Sequence, residues 1–182
     1  EALKDLPVET EIAKNERSAE KFWIIRRESF NLLRKNLQGY YASPFIDDCV
    51  VHAEDLPTFL PELNKLLEEY NLVYTIAGHV GDGNFHIIPL MNLSNPESRK
   101  AIEELTPRVY DLVLKYKGSI SGEHNDGIIR TPYVSKMFGE PMARLFLETK
   151  RIFDPENMFN PGKKVGGTLE DIHTYMITSH TP

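Results

Sequence analysis

The feature that most constrains the fold of this chain is a glycine-rich stretch, TIAGHVGDGNFHIIPL, at residues 75–90. Residues 73–76 and 85–88 are rich in β-branched and aromatic side chains, which favours strands. The pair Asp82-Gly83 between them is typical of a two-residue type I′ hairpin turn. A turn centred on that pair places His79 and His86 directly opposite each other on one face, with Cβ atoms about 4.5–5.5 Å apart. The hairpin therefore presents two imidazoles that are placed to share a metal ion.

Apolar periodicity and capping residues predict the other elements. Helices are expected at residues 18–37, 55–70, 95–116 and 140–153, and further strands at residues 45–51 and 119–121. Pro107 should kink or break the third of these helices. This order of elements favours an α+β fold, a mainly antiparallel sheet with helices packed on one face, similar to a duplicated ferredoxin-like arrangement.

Three segments are expected along the chain. Residues 1–17 are interpreted as a leading segment from a longer protein, because the sequence opens at Glu1 with neither an initiator methionine nor a targeting signal. Residues 18–165 are expected to form the main domain. Residues 166–182, which begin with two glycines, are expected to form a C-terminal tail.

Composition argues against several classes of protein. The formal net charge of −6 gives no support to a nucleic-acid partner, which normally needs a basic face. No apolar run approaches the roughly 18 residues of a transmembrane segment. The single cysteine, Cys49, cannot form an internal disulfide and indicates a reducing, cytoplasmic location. Cys49 itself is interpreted as a packing residue rather than a nucleophile.

The strongest candidate site combines His79 and His86 with Glu123 and His124 from the stretch SGEHNDG at residues 121–127. Two imidazoles and one carboxylate leave coordination positions open for a substrate or water, as in catalytic metal sites. Zinc, manganese and iron(II) all suit this ligand set. With Glu123 on the metal, His124 is free to accept a proton from a substrate. The alternative is that these histidines are hydrogen-bonded or surface residues near a turn.

Two arginines are candidates for binding an anion. Arg130 follows the proposed base by a few residues, and either holds a substrate carboxylate through a forked pair of hydrogen bonds or anchors its loop. Arg26 lies with Arg27 on the first predicted helix, where an anion-binding role and a solvated helix face are both open. Asn84 is expected to support the site through its amide.

Three ordered motifs resemble one known family. They are GHVGDGNFH at residues 78–86, SGEH at residues 121–124, and the segment from FDP at residues 153–155 to NPGK at residues 160–163. In order and spacing they resemble the C-terminal domain of the FAD-linked oxidases, the family of D-lactate dehydrogenase, the glycolate oxidase flavin subunit and D-2-hydroxyglutarate dehydrogenase.

The resemblance implies an FAD-dependent enzyme that oxidises a D-2-hydroxy acid of the lactate, glycolate or 2-hydroxyglutarate type. It implies that His79, His86 and Glu123 hold a divalent ion and that His124 removes the hydroxyl proton while hydride passes to the flavin. It further implies that Asn160 contacts the flavin and that Arg26 or Arg27 binds the substrate carboxylate.

The sequence also departs from the pattern of the family. Many relatives have Glu-His-Gly where this chain has EHNDG at residues 123–127, which resembles a subgroup of larger oxidoreductases, some fused to iron–sulfur domains. An iron–sulfur electron acceptor is therefore an expected partner. The FAD-binding domain of the family precedes this one, and nothing in the chain resembles it. We therefore expect the isolated chain neither to bind FAD stoichiometrically nor to turn over. A metal-dependent hydrolase and a non-catalytic assembly module are the alternative functions.

Overall fold

The structure is a computed structural model that describes residues 11–36 and 39–176. Two compact units divide the chain, Glu1–Gly39 and Tyr40–Pro182. The first contains helix α1, Glu16–Asn36. Asn15 rather than the predicted Ser18 caps this helix, since its Oδ1 accepts the backbone N–H of Ser18 at 2.9 Å. The predicted helix end at residue 37, residues 1–10 of the leading segment and residues 177–182 of the tail lie outside the described residues.

The second unit contains a four-stranded antiparallel sheet with β4, Asn84–Met91, at its centre. Strand β3, Val73–His79, pairs along one edge of β4. Two short strands, β1 at Tyr41–Ala42 and β2 at Cys49–Val50, pair with its two ends. The predicted strand at residues 45–51 is thus confined to two residues. The strand predicted at residues 119–121 reduces to a single bridge between Ser119 and Val50.

The hairpin between β3 and β4 turns differently from the prediction. His79 pairs with Asn84, and a 3-10 turn at Val80–Asp82 connects the strands, so the two-residue type I′ turn is wrong. His86 pairs with Ala77, which makes His79 and His86 diagonal neighbours on one face rather than direct partners. Gly83 closes the turn with φ +67°, and a Cβ at this position would lie 1.8 Å from the carbonyl oxygen of Val51. Close packing against the chain after β2 therefore helps to fix where the hairpin turns.

Helices α2, Leu56–Glu68, and α3, Pro96–Lys115, pack on one face of the sheet. The core between them contains Phe85, Ile87 and Met91 of β4 together with Phe59, Leu63, Leu67, Leu105, Val109 and Val113 of the helices. Asn95 caps α3, since its Oδ1 accepts the N–H of Glu97 at 3.0 Å. The helix runs through Pro107 without a break, so of the two predicted outcomes, a kink or a break, the break is wrong. Leu105 and Val109 on either side are buried, and this burial offsets the loss of the helical hydrogen bond that proline cannot donate.

Among the described residues, four helices follow α3. They are α4 at Gly127–Arg130, α5 at Val134–Phe138, α6 at Glu140–Phe153 and α7 at Leu169–Tyr175. The range of α6 matches the prediction. The segment predicted as a tail contains α7, and Met176 just after it packs against the core.

The α+β class with an antiparallel sheet is confirmed. Among the described residues, no helix combines the length and apolar character needed to cross a membrane. Along β4, Phe85 and Ile87 point into the core, so His86 between them points to the opposite face. The candidate site therefore lies on the face of the sheet away from α2 and α3.

Candidate metal and catalytic site

The structure brings His79, His86, Glu123 and His124 together. His79 ends β3, His86 lies on β4, and the other two residues follow the Ser119 bridge. The Oε1 atom of Glu123 lies 3.2 Å from Nε2 of His86 and 3.4 Å from Nε2 of His79. Nε2 of His124 lies 4.0 Å from the same oxygen. One carboxylate oxygen thus faces the ring nitrogens of three histidines.

The separations of Glu123 from His79 and from His86 each fit two ligands of one metal ion. Ligands bound at about 2.1 Å to one ion lie roughly 3.0–3.4 Å apart for angles between 90° and tetrahedral. The contacts of Glu123 with His79 and His86 fall in that range, and the contact with His124 is longer. The His79, Glu123 and His124 side chains are about half exposed, so the cluster has an open side. The donor set therefore suits a divalent ion that keeps positions free for another molecule.

The possible ligand atoms that all lie within 4.8 Å of one another belong to Asp48, His86, Glu123 and His124, and this group does not include His79. The carboxylate of Asp48 is already saturated, because it accepts the backbone N–H groups of residues 122, 123 and 124 at 2.8–3.0 Å and the Asn84 amide at 3.1 Å. Two oxygens that accept four donors have little capacity left for a metal. Asp48 therefore holds the loop that carries Glu123 and His124, and Asn84 supports the site as predicted.

Asp48 is fully buried and its backbone has a left-handed φ of 61°. Burial raises the pKa of its carboxyl, but the hydrogen bonds from residues 122–124 and Asn84 outweigh it and hold the pKa below its ordinary value. The loop is packed tightly here. A Cβ on Gly122 would lie 2.8 Å from Oδ1 of Asp48 and 2.7 Å from Nδ2 of Asn84, so only glycine fits without a shift.

Asp47, the neighbour of Asp48, contacts two of the site histidines. Its Oδ1 lies 3.0 Å from Nδ1 of His86, and its Oδ2 lies 3.2 Å from Nδ1 of His124. The two rings stack with centroids 5.0 Å apart and an interplanar angle of 23°. Sequence reasoning missed both aspartates. The available signal was an acidic pair inside an otherwise apolar segment, FIDDCVV at residues 45–51.

The other predicted site residues lie in different surroundings. Arg130 is buried, and its guanidinium donates to the carbonyl oxygens of Asn125 at 2.8 Å and Asp47 at 2.5 Å. These contacts favour the loop-anchor alternative over a carboxylate clamp. Arg26 lies on exposed α1 of the first unit, with its Cζ 6.0 Å from the Trp23 ring. Asn160 is exposed, and its Oδ1 accepts from Nζ of Lys163 at 3.3 Å.

The fold and the site together define the class of this protein. It is an α+β domain with a cluster of histidines and a carboxylate on one face of its sheet. Residues 1–164 match the family described as FAD linked oxidases, C-terminal domain. The chain belongs to this family, as its motifs predicted.

Known proteins similar to the chain include a D-2-hydroxyglutarate dehydrogenase of Haemophilus influenzae, which is 33% identical over 80% of the chain. The glycolate oxidase subunit GlcD of Escherichia coli is 29% identical over 90%, and a mitochondrial D-lactate dehydrogenase [cytochrome] of Arabidopsis thaliana is 28% identical over 84%. The chain spans only 14%, 32% and 27% of the length of these three relatives.

Among solved structures, the 4-ethylphenol oxidase of Gulosibacter chungangensis in its isoeugenol complex aligns with a TM-score of 0.57. The alignment covers 87% of this chain and 32% of that one at 16% sequence identity. At this identity the likeness concerns the fold alone, and it agrees with the mixed helix and antiparallel sheet architecture.

Proposed function

We propose that this chain is the C-terminal substrate or cap domain of an FAD-dependent enzyme that oxidises a D-2-hydroxy acid. In this proposal His79, His86 and Glu123 hold a divalent ion, zinc, manganese or iron, and His124 is the catalytic base. The observation that carries the proposal is the position of Glu123 Oε1, within 3.4 Å of Nε2 of His79 and His86. Such a cluster of one carboxylate and two imidazoles matches the donors of a catalytic ion.

The distances from Glu123 are compatible with this division of roles. A bound divalent ion would polarise the hydroxyl and carboxylate oxygens of the substrate. His124 lies farther from Glu123 than the other two histidines do, which leaves its Nε2 free to take the hydroxyl proton. Its half-exposed ring is accessible from the open side of the cluster. The FAD of the preceding domain would accept the hydride.

An exposed apolar surface on the second unit supports the proposal that a partner domain binds there. No side chain of α6 is buried, although the helix has an apolar face. Beyond its end the exposed apolar surface continues, with Phe153 82%, Met158 73% and Phe159 68% exposed. Exposed apolar patches of this kind mark interaction sites. We propose that the N-terminal FAD-binding domain of the same protein covers this surface, and that Asn160 beside Phe159 contacts the flavin.

The two candidate arginines have different proposed roles. Arg26 remains the proposed partner of the substrate carboxylate. Arg130 contributes by anchoring the loops of Asp47 and Asn125, since both of its terminal nitrogens already donate to carbonyl oxygens. The iron–sulfur acceptor and the cytoplasmic location, which rests on the single cysteine, stay predictions.

Metal analysis tests the site directly. The chain has six histidines, which allows a matched control. We expect the purified chain to bind close to one equivalent of zinc or manganese, and a His79→Ala, His86→Ala double variant to lose it. A His52→Ala, His173→Ala double variant, with the same number of histidines removed elsewhere, should bind like the wild type. Equal metal content in all three proteins would refute the proposed metal site.

A second experiment separates oxidation from hydrolysis. Full-length protein, assayed with a dye acceptor against a panel of D-2-hydroxy acids, should reduce the dye, and membership of the FAD linked oxidases favours this result over a metal-dependent hydrolase. The isolated chain should be colourless and inactive in the same assay. Flavin-loaded yellow protein from the isolated chain would contradict the proposed division of the cofactor site.

A further inference from the structure

The site loop, residues 122–126, ends in a buried carboxylate. The side chain of Asp126 is only 2% exposed, and its Oδ2 lies 2.6 Å from Nζ of Lys164, 38 positions further along the chain. Among the described residues, no second cation forms an ion pair with this carboxylate. Loss of one partner of a buried ion pair leaves an uncompensated charge, which is strongly unfavourable. The buried end of the site loop is therefore joined to a residue from a distant part of the chain.

Lys164 also contacts three other parts of the second unit. Its Nζ lies 5.5 Å from the ring centroids of both Phe138 on α5 and Phe146 on α6, within the range of cation–π attraction. Its backbone N–H donates to Oγ1 of Thr131 at 2.7 Å, and that hydroxyl donates to the carbonyl oxygen of Gly127. The ammonium and the backbone of Lys164 thus both reach the stretch of chain that begins where the site loop ends.

The backbone around Lys164 is held closely as well. Its φ is 70°, in the left-handed region that residues with a side chain rarely adopt. Such a conformation persists where the surrounding contacts over-determine it. Three residues later the chain again lies against Thr131, since a Cβ on Gly167 would be 2.8 Å from Cγ2 of that residue. Segment 160–167, which begins with Asn160, is therefore packed onto the chain that follows the site loop.

We propose that Lys164 is a positioning residue that fixes segment 160–167 against the site loop through Asp126. The flavin contact of Asn160 and the chemistry of the site loop rest on the proposed function, whereas the ionic link between the two segments does not. Within the proposed function, Lys164 sets the distance between the residue that faces the flavin and the residues that hold the substrate.

Nitrogen-15 relaxation of the metal-free chain tests the link without substrate or flavin. Asp126→Asn keeps the size of the side chain and leaves no buried charge, and water can solvate the released ammonium of half-exposed Lys164. We expect the amide order parameters of residues 162–166 to fall from about 0.85 in the wild type to about 0.6 in this variant. Those of β4 should stay at about 0.85 in both proteins. Wild-type values of about 0.6 in this segment, or unchanged values in the variant, would overturn the proposal.

Three further variants separate the charge of Lys164 from its packing. Lys164→Met removes the charge but keeps an unbranched side chain, and it should release the segment as Asp126→Asn does. Lys164→Arg keeps the cation and should retain the order of the wild type. The control is Lys136→Met, because Lys136 forms a similarly close ion pair, 2.7 Å from Oδ1 of Asp111, with a partner that is 63% exposed. Loss of order in the control as well would refute a specific role for Lys164.

The kinetics of the full-length enzyme test the consequence for the proposed reaction. A misplacement of about 1 Å in a reacting geometry can cost roughly 100-fold in rate. For Asp126→Asn we expect kcat with a D-2-hydroxy acid to fall about 10-fold or more, with KM changed less than about threefold. Lys164→Arg and Lys136→Met should keep kcat within about threefold of the wild-type value.

The two measurements fail separately. An unchanged kcat in Asp126→Asn would overturn the positioning role of Lys164. If the full-length wild type oxidises no D-2-hydroxy acid, the proposed function is rejected, and the order parameters still decide whether Lys164 links the two segments.

Discussion

Replacing Asp48 by asparagine should loosen the loop that carries Glu123 and His124. Asparagine tolerates the left-handed backbone that Asp48 adopts at φ 61° and has nearly the same size. The substitution therefore changes hydrogen-bond capacity and charge without adding backbone strain. It converts one oxygen, which accepts two hydrogen bonds, into an NH2 group that faces two donors.

The size of the effect follows from the contacts that are lost. A hydrogen bond to a charged group contributes about 1.5–3 kcal/mol, so two lost bonds set an upper range of roughly 3–6 kcal/mol. Glu123 and His124 are exposed, and water can solvate the N–H groups that are released. We therefore expect a loss of about 2–4 kcal/mol in the free energy of unfolding. For a chain of this size that corresponds to a fall in Tm of roughly 5–15 °C.

Urea and thermal unfolding of the metal-free chain, followed by circular dichroism, measure this loss. Asp82→Asn is the matched control, because Asp82 is an exposed aspartate in the nearby 3-10 turn. It should change stability by about 0.5 kcal/mol or less. A loss under about 1 kcal/mol for Asp48→Asn would refute the argument, since it would mean that the buried carboxylate does not hold the loop.

Two further predictions concern residues outside the cluster. Cys49 is fully buried, and burial raises the pKa of its thiol to about 12, so only about one thiol in ten thousand is ionised at pH 8. Ellman's reagent should label the native chain very slowly and the urea-unfolded chain at once, and rapid labelling of native protein would contradict this burial. Asp154 accepts from Lys150 and from the backbone N–H groups of Met158 and Phe159, and these hydrogen bonds lower its pKa against an opposing effect of burial. The stability that they provide is present above the ordinary carboxyl pKa of about 3.9 and is lost as pH falls through the lower pKa of the folded state. Asp154→Asn should therefore be less stable than the wild type near neutral pH, with a smaller further loss on acidification, and parallel curves of Tm against pH would count against this role.

Local sequence patterns predicted most of the helices. Apolar residues at helical spacing located α2, α3 and α6, because burial of one helix face requires that spacing wherever the helix packs. The cap at Asn95 was also predictable from the sequence. Its side chain accepts a hydrogen bond from the backbone N–H two residues later, which is a local contact. The break expected at Pro107 was not found, because burial on both sides of the proline is a property of the packed core.

The residues of the candidate cluster were likewise predictable by type. His79, His86, Glu123 and His124 stood out because two imidazoles and a carboxylate are the donor types of a catalytic metal site. Their register did not follow from the sequence. The position of the hairpin turn depends on the contact of Gly83 with Val51, and nothing local to the hairpin encodes that contact.

The sequence by itself determined the α+β class, the family and the types of side chain in the candidate cluster. Only the tertiary structure decided how those atoms are held. Asp48 binds residues 74 to 76 positions away, Asp47 contacts His86 and His124 at separations of 39 and 77, and Arg130 reaches back 83 residues to Asp47. Hydrogen bonds over such distances depend on how the elements pack, so two adjacent aspartates could be seen in the sequence while their separate roles could not.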